Sequence, residues 1–190
     1  MRLCLVRHTR PALNSGICYG QSDIAVNPDS FEQELAILTD KLKTVTADQI
    51  ISSPLQRCSL LARRLSAASG YYSDPRLMEL NFGAWEMQAW EAIPRSELDL
   101  WSQHYLDSAP PQGESFRQLA ARVSAAVQQL VSDYPDQTVL MITHAGVIRA
   151  ILSQTLNLPL NETFKFQLDY GGISQIQLDA AGHSVAYINR

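Results

Sequence analysis

The chain has 190 residues, of which 46% are hydrophobic and 18% are charged, and its formal net charge is −4 at pH 7. This composition is ordinary for a globular protein and predicts a single domain over residues 1–190 with a sizeable core. The negative charge and the lack of a lysine and arginine run argue against nucleic-acid binding, and the apolar runs are too short to cross a membrane.

The chain contains three cysteines, an odd number whose spacing fits no metal-binding motif. We expect no signal sequence, because the charged pair Arg7-His8 interrupts the first apolar run. Reduced thiols and a cytoplasmic location are therefore predicted. The cysteines are Cys4, Cys18 and Cys58.

The first predicted strand, residues 2–6, runs directly into Arg7 and His8. A neutral imidazole is a nucleophile, and an adjacent guanidinium binds phosphate oxygens in a planar fork. Alone, an arginine-histidine pair after a strand is more often a surface or packing feature. The pair indicates chemistry only if further basic groups lie close to it.

The second predicted strand, residues 49–52, is followed by Pro54, which we predict to occupy the first position of a helix. That helix carries Arg57 in its first turn, where free backbone N–H groups and a guanidinium favour an anion. By itself, Arg57 fits a solvated arginine or the partner of a carboxylate better than a ligand-binding group.

A third strand pattern, residues 138–143, ends in His144 and leads into a helix that opens near Gly146. In a parallel sheet the carboxyl ends of the strands line the crevice in which ligands bind, so His144 and His8 are predicted to meet there. Two imidazoles and two guanidiniums at such strand ends together indicate phosphoryl transfer through a phosphohistidine.

The remaining predicted elements complete an α/β pattern. Helices begin at about Ser30 and Glu114, and the second has an apolar stripe that packs it on the sheet. Two carboxy-terminal strands, near residues 173–178 and 185–188, join in a hairpin around Ala181-Gly182, so at least one strand is antiparallel. The stripe consists of Phe116, Leu119, Ala120, Val123, Val127 and Leu130.

Four motifs that span most of the chain give it a family resemblance. They are Leu5-Val6-Arg7-His8, with Asn14 six residues after the histidine; Ser53-Pro54-Leu55-Gln56-Arg57; Leu77-Met78-Glu79-Leu80-Asn81-Phe82-Gly83-Ala84-Trp85-Glu86; and Thr143-His144-Ala145-Gly146-Val147-Ile148-Arg149. The chain resembles the histidine phosphatase superfamily, which includes the cofactor-dependent phosphoglycerate mutases and many small-molecule phosphatases. The resemblance implies a three-layer α/β/α sandwich with a mostly parallel central sheet and a small cap around residues 80–113.

The same resemblance implies a role for each matching side chain. His8 is implied to be the nucleophile, and Glu79 the proton donor to the leaving group. Guanidinium and imidazolium groups can supply the positive charge that a metal supplies elsewhere in phosphoryl transfer. The residues implied to hold the phosphoryl oxygens are Arg7, Asn14, Arg57 and His144.

The resemblance also implies two substrate-binding residues in the loop after His8, which are Tyr19 and Gly20. No metal and no organic cofactor is implied. A metal held by both histidines and a carboxylate is the alternative, but no short metal-binding histidine spacing is present. The nearby guanidiniums and a charged His144 are expected to keep His8 unprotonated.

The sequence departs from the family pattern at three places. Thr9-Arg10-Pro11 follows His8, where most members have glycine, an acidic or amide residue, and threonine. Met87 and Ala145 stand where glycine is usual. None of these changes removes a group that the chemistry requires, although the first alters the turn and adds a positive charge at the pocket mouth.

Within the superfamily the chain is most similar to the α-ribazole phosphatases of cobalamin nucleotide-loop assembly, and three stretches carry this likeness. They are residues 16–23, residues 82–86 running on to Ile93-Pro94 and Trp101, and residues 110–115. A phosphatase or mutase acting on another small phosphorylated metabolite is the alternative, and a non-catalytic phosphate-binding protein is a third. In each case the partner is a small phosphorylated molecule, and the chain is a monomer or a homodimer.

The segment between Glu79 and Gly113 is expected to determine substrate specificity. It begins at the implied proton donor and returns to the core only at the next long helix. Its aromatic residues could stack on a base or pack along a ribose. The roughly helical spacing of Trp90 and Trp101 favours core packing for both. Trp85 could either pack in the core or contact the substrate, and the same two alternatives apply to Tyr19 in the loop after His8. We assign no role to His104 or His183.

Overall fold

The computed structural model describes residues 1–179 and 182–190, and these residues form one six-stranded sheet. The spatial order of the strands is β3-β2-β4-β1-β5-β6. The strands are β1 (Arg2–Arg7), β2 (Gln49–Ser52), β3 (Tyr72–Ser73), β4 (Thr138–Thr143), β5 (Ile173–Asp179) and β6 (Gly182–Tyr187).

The sheet is mixed, and its central part is parallel. β1 pairs with β4, β4 with β2, and β2 with β3 in parallel, whereas β5 runs antiparallel to both β1 and β6. The predicted mostly parallel sheet with an antiparallel carboxy-terminal pair is therefore confirmed. The two residues of β3 are exposed and too few for a pattern, so this strand escaped prediction. Ala181 of the predicted hairpin lies outside the described residues.

Helices cover both faces of the sheet. They are α1 (Phe31–Leu42), α2 (Gln56–Ser66), α3 (Arg95–His104), α4 (Phe116–Asp133) and α5 (Ala145–Leu156). Leu3 and Leu5 of β1 belong to a core shared with α4 and α5, while Cys4 and Val6 belong to a core shared with α1 and α2. Because successive side chains of a strand point to opposite faces, this division confirms the three-layer sandwich.

Helix α4 forms as its apolar stripe predicts, since every residue of that stripe is buried. Its amino terminus is closed by a capping box. The Ser115 hydroxyl accepts a hydrogen bond from the Gln118 backbone N–H (3.2 Å), and the Gln118 side chain accepts one from the Ser115 N–H (2.7 Å). Two N–H groups that the helix cannot satisfy by itself are thereby paired.

The prediction that Pro54 begins a helix is wrong, because α2 starts at Gln56. Leu55 has an extended backbone, with ψ 138°. The carboxylate of Asp23, from a distant loop, accepts hydrogen bonds from the Gln56 backbone N–H (2.7 Å) and side-chain amide (3.0 Å). A cap from another part of the chain therefore sets the start of the helix and still leaves Arg57 in its first turn.

The segment 80–113 forms the small cap that was predicted, and it pairs with the loop after His8. Ile17 and Ala89 form an antiparallel bridge. Trp85 is buried beside Cys18 in a satellite core. Gly83 has φ +54°, and a Cβ there would lie 2.2 Å from the Pro111 carbonyl oxygen, so this close contact requires glycine.

Over the described ranges, no helix is both long enough and apolar enough to cross a membrane. The three cysteines are buried and free.

Replacing the cap of α4, Ser115→Ala, is expected to lower the free energy of unfolding by about 1 kcal/mol, because one N–H at the helix start loses its acceptor. Denaturant unfolding followed by circular dichroism measures this loss. The matched control is Ser132→Ala at the exposed end of the same helix, which should change stability little. Equal effects at the two positions would contradict the capping role.

Candidate active site

The parallel pairing of β1 with β4 brings two histidines together. Arg7 lies opposite Thr143 in the register, and the His8 backbone N–H donates to the Thr143 carbonyl (3.0 Å). Each strand then delivers its next residue to the same edge of the sheet. The ring centroids of His8 and His144 are 5.1 Å apart.

The His8 imidazole is only 2% exposed, and its Nδ1 lies 2.7 Å from the Thr9 carbonyl oxygen. A carbonyl only accepts hydrogen bonds, so in the neutral ring Nδ1 carries the proton and the Nε2 lone pair is free. Burial lowers the pKa of His8 well below its ordinary value, and the charges of Arg57 and then Arg7 lower it further. An unprotonated Nε2 of this kind can act as a nucleophile.

The His144 imidazole is fully buried, with Nε2 2.8 Å from the Ser53 hydroxyl and 3.5 Å from the Cys58 sulfur. Burial lowers its pKa well below the ordinary value, and the neighbouring His8 and Arg57 add to this effect. The expectation that His144 carries a positive charge is therefore wrong. A neutral ring can still donate one hydrogen bond to an anion.

The two arginines that were predicted to hold the phosphoryl oxygens use backbone carbonyls as partners. Arg7 Nη1 donates to the Leu168 carbonyl (2.5 Å), while Arg57 donates from its two Nη groups to Ser22 (2.9 Å) and Gly20 (2.5 Å). The Nε of each arginine is buried without a partner. Among the described residues no carboxylate is paired with either guanidinium, so neither positive charge is neutralised by an ion pair. Arg7 lines the cavity beside His8, whereas Arg57 is fully buried and does not line it.

Glu79 lies at the amino terminus of α5. Its carboxylate accepts hydrogen bonds from the backbone N–H groups of Leu80 (2.9 Å) and Gly146 (3.1 Å). A Cβ at Gly146 would lie 2.2 Å from Glu79 Oε1, so the approach depends on glycine at that position. The carboxyl group lines the same cavity as His8.

The backbone around Glu79 is fixed by an arginine that the motifs do not include. Arg122 of α4 donates from Nη1 to the carbonyls of Arg76 and Met78 (2.7 Å each) and from Nη2 to the Glu79 carbonyl (2.9 Å). The same guanidinium pairs with Glu114 at 2.5 Å. In the sequence, the only indication of this role is that Arg122 lies beside the buried apolar stripe of α4.

Among the residues that were predicted to hold the phosphoryl oxygens, Asn14 alone is exposed. Like Arg57 and His144, it does not line the cavity beside His8. The unusual turn after His8 explains this placement, because the Arg10 backbone N–H donates to Glu34 (2.8 Å) and Pro11 forms a bridge with Val26. These contacts direct the chain toward α1 before it reaches Asn14.

Tyr19 and Gly20 both lie near Arg57, but only Tyr19 lines the cavity. Tyr19 lines the cavity, and its hydroxyl is 2.9 Å from that of Tyr170. Gly20 binds Arg57 through its carbonyl and does not line the cavity. Tyr170 was absent from the sequence motifs, although its place just before β5 and the antiparallel pairing of β5 with β1 bring it beside His8.

A cavity of about 590 Å³ extends from His8 toward the cap. The prediction that Trp90 and Trp101 pack in the core is correct only in part. Both pack against the satellite core, but both also line this cavity. Trp85 packs in the satellite core, and its indole N–H donates to Glu97 (3.4 Å). The aromatic residues that line the cavity are Tyr19, Phe82, Trp90, Trp101, Tyr105, Phe116 and Phe164.

Within residues 1–179 and 182–190, no three histidine, cysteine or carboxylate side chains are grouped so that they could hold a metal. His104 and His183 are exposed and do not line the cavity.

Comparison with known proteins places this geometry in a family. The model of the histidine phosphatase superfamily (branch 1) matches residues 3–190. A putative phosphoserine phosphatase 2 of Hydrogenobacter thermophilus is 27% identical over 195 aligned positions, which cover 100% of this chain and 95% of the relative. An adenosylcobalamin/α-ribazole phosphatase of Escherichia coli is 25% identical, with 100% and 96% covered.

A solved structure supports the fold. The crystal structure of the α-ribazole phosphatase from Shigella flexneri superimposes with a TM-score of 0.90 at 24% identity, covering 100% of this chain and 96% of that one. At this identity the likeness concerns the α/β architecture alone.

Adding one methyl group, Gly146→Ala, is expected to lower kcat on the order of 10²-fold, because the new Cβ displaces the Glu79 carboxylate. Alanine favours a helix more than glycine does, so the variant should fold. Steady-state kinetics with a phosphomonoester and thermal unfolding measure the two effects. The control is Gln154→Ala on the exposed side of α5; full activity of Gly146→Ala would contradict the positioning of Glu79.

Acid should destabilise the protein through its two buried imidazoles. Their folded pKa values lie well below the ordinary value of 6.5, so below about pH 6.5 the unfolded chain binds more protons than the folded one. The free energy of unfolding should therefore fall by about 1.4 kcal/mol per pH unit for each histidine until the folded groups titrate.

Denaturant unfolding between pH 6.5 and pH 5 tests this slope. His144→Gln should remove one histidine's share, whereas the exposed control His183→Gln should retain it. An unchanged slope in His144→Gln would show that His144 is not held neutral by burial.

Proposed function

The chain belongs to the histidine phosphatase superfamily, and on this premise we propose that it hydrolyses phosphomonoesters through a phosphohistidine formed on His8. One observation supports this proposal above the others. His8 is neutral, its Nε2 is free, and it lies beside two guanidiniums without carboxylate partners, at the base of a cavity. A nucleophile and an anion site therefore coincide.

In the first step His8 Nε2 attacks phosphorus, and the bond from phosphorus to the leaving oxygen breaks. Arg7 and Arg57 stabilise the charge on the equatorial oxygens, and neutral His144 donates a hydrogen bond to them. Glu79 is the group that delivers a proton to the leaving oxygen, so the alcohol departs uncharged.

In the second step a water molecule attacks the phosphohistidine. Glu79, now a carboxylate, takes a proton from that water while the bond between phosphorus and Nε2 breaks. Inorganic phosphate leaves, and His8 returns to its neutral form with Nδ1 still donating to Thr9. The two steps assign no part to Asn14, which is exposed.

We propose α-ribazole 5′-phosphate as the substrate, in cytoplasmic assembly of the cobalamin nucleotide loop. The aromatic lining of the cavity and its volume of about 590 Å³ suit a flat benzimidazole nucleoside. Glu79 is the only carboxylate among the described residues that line it, which leaves no second acid for the ammonium of phosphoserine. The likeness to α-ribazole phosphatases supports this choice.

A phosphatase of the same family with another small substrate is the second candidate, and the phosphoserine phosphatase relative favours it. A non-catalytic phosphate-binding protein is disfavoured, because every group that the two steps need is present.

Phosphate release should be measured with α-ribazole 5′-phosphate, phosphoserine and 3-phosphoglycerate. We expect kcat/KM for the first to exceed the others by on the order of 10²-fold, because only its base fills the aromatic cavity. His8→Ala should lose on the order of 10⁴-fold or more in kcat, since it lacks the nucleophile.

Acid-labile phosphate should be trapped on the wild-type chain and absent from His8→Ala. Equal rates across the three esters would reject the proposed substrate and keep the phosphatase. No release from any ester would reject the catalytic function.

A further inference from the structure

The segment from Leu168 to Gly172 holds the end of β1 through its main chain. The Gly171 N–H donates to the carbonyls of Arg7 (3.1 Å) and His8 (3.3 Å), and the Arg7 N–H donates to the Gly172 carbonyl (3.0 Å). Since β5 runs antiparallel to β1, the residues before β5 necessarily lie where β1 ends. The backbone of the motif pair is thus fixed by a segment outside every family motif.

Tyr170 of this segment contacts both members of the pair through its ring. The Arg7 guanidinium carbon lies 3.9 Å from the centroid of the Tyr170 ring, and the His8 ring centroid lies 5.5 Å away. The hydroxyl is 2.9 Å from that of Tyr19, whose ring lies 5.3 Å from the Arg57 guanidinium carbon. The two tyrosines therefore connect the two arginines of the anion site.

We propose that Tyr170 is a positioning residue that fixes the Arg7 guanidinium for binding the phosphoryl group. The proposal rests on the proposed phosphatase function. An arginine side chain has many rotamers, and ordering it costs conformational entropy. In this structure one face of the guanidinium is covered by the Tyr170 ring, and Nη1 is held by the Leu168 carbonyl. Nη2 and the unpartnered Nε then remain to meet phosphoryl oxygens.

A ring is a suitable support for a guanidinium that must bind an anion. A carboxylate partner would also hold Arg7, but its charge would repel the phosphoryl group and neutralise the arginine. The face of an aromatic ring attracts the cation through its quadrupole and carries no net charge. Tyr170 therefore orients Arg7 without lowering its capacity for phosphate.

The hydroxyl of Tyr170 has a separate and smaller part. Burial and the hydrogen bond to Tyr170 raise the pKa of Tyr19, so the Tyr19 hydroxyl stays uncharged. Their hydrogen bond joins Tyr170 to the loop that carries Tyr19, but the contact with Arg7 is made by the ring. Phenylalanine should accordingly replace Tyr170 at small cost to phosphate binding.

The test compares Tyr170→Leu, Tyr170→Met and Tyr170→Phe with the wild type. Two readouts are used: kcat/KM for a phosphomonoester and the dissociation constant for orthovanadate from calorimetry, which needs no turnover. Without the aromatic face, Leu and Met should weaken both by about tenfold. Phe should stay within about threefold of the wild type. Tyr187→Leu removes a ring that lies 5.6 Å from the Arg190 guanidinium carbon, a cation with no proposed role in the site, and is the matched control.

A double-mutant cycle with Arg7→Met, which removes the cation and keeps an unbranched side chain, separates positioning from general destabilisation. If the ring acts through Arg7, Tyr170→Leu should cost less than about threefold in the Arg7→Met background. Equal losses in the two backgrounds would overturn the proposal, as would a Phe variant as impaired as Leu. A wild type that binds orthovanadate but hydrolyses no ester would reject the phosphatase function alone, because the vanadate cycle would still test Tyr170.

Discussion

The parallel pairing of β1 with β4 is the constraint on which the rest of the site depends. It brings the ends of β1 and β4 to the same edge of the sheet, where His8 follows one strand and His144 follows the other. The neighbouring strands on either side supply the remaining groups, since β2 leads to Arg57 and β5 is preceded by Tyr170. Without this register the motif residues would remain scattered over more than a hundred positions of sequence.

The second constraint is electrostatic, because a site for a dianion must keep positive charge unneutralised. Buried charges are costly unless they are hydrogen-bonded. Here the guanidiniums of Arg7 and Arg57 bond to backbone carbonyls, which stabilise the charge but leave its sign intact. The same field and the same burial keep His8 and His144 neutral. In the proposed mechanism, phosphate affinity and nucleophile activation therefore have one physical origin.

The central strands and α4 could be predicted from sequence because their own side chains determine them through burial. Features that depend on a distant partner could not: Asp23 rather than Pro54 sets the start of α2, and contacts with α1 direct the chain so that Asn14 is exposed. Helical spacing did not distinguish a core residue from a cavity wall for Trp101. Tyr170 lies in no motif, and only the pairing of β5 with β1 gives it a place in the site.

The bridge between Ile17 and Ala89 joins the loop after His8 to the cap, so the parts of the cavity wall that these two segments supply are held together. The groups that we propose to hold the phosphoryl moiety stand on strand and helix ends, which the cap does not build. A change of cap length or sequence can therefore alter which alcohol is released while the reacting atoms keep their places. Such a division allows one scaffold to diversify in substrate during evolution without rebuilding its chemistry.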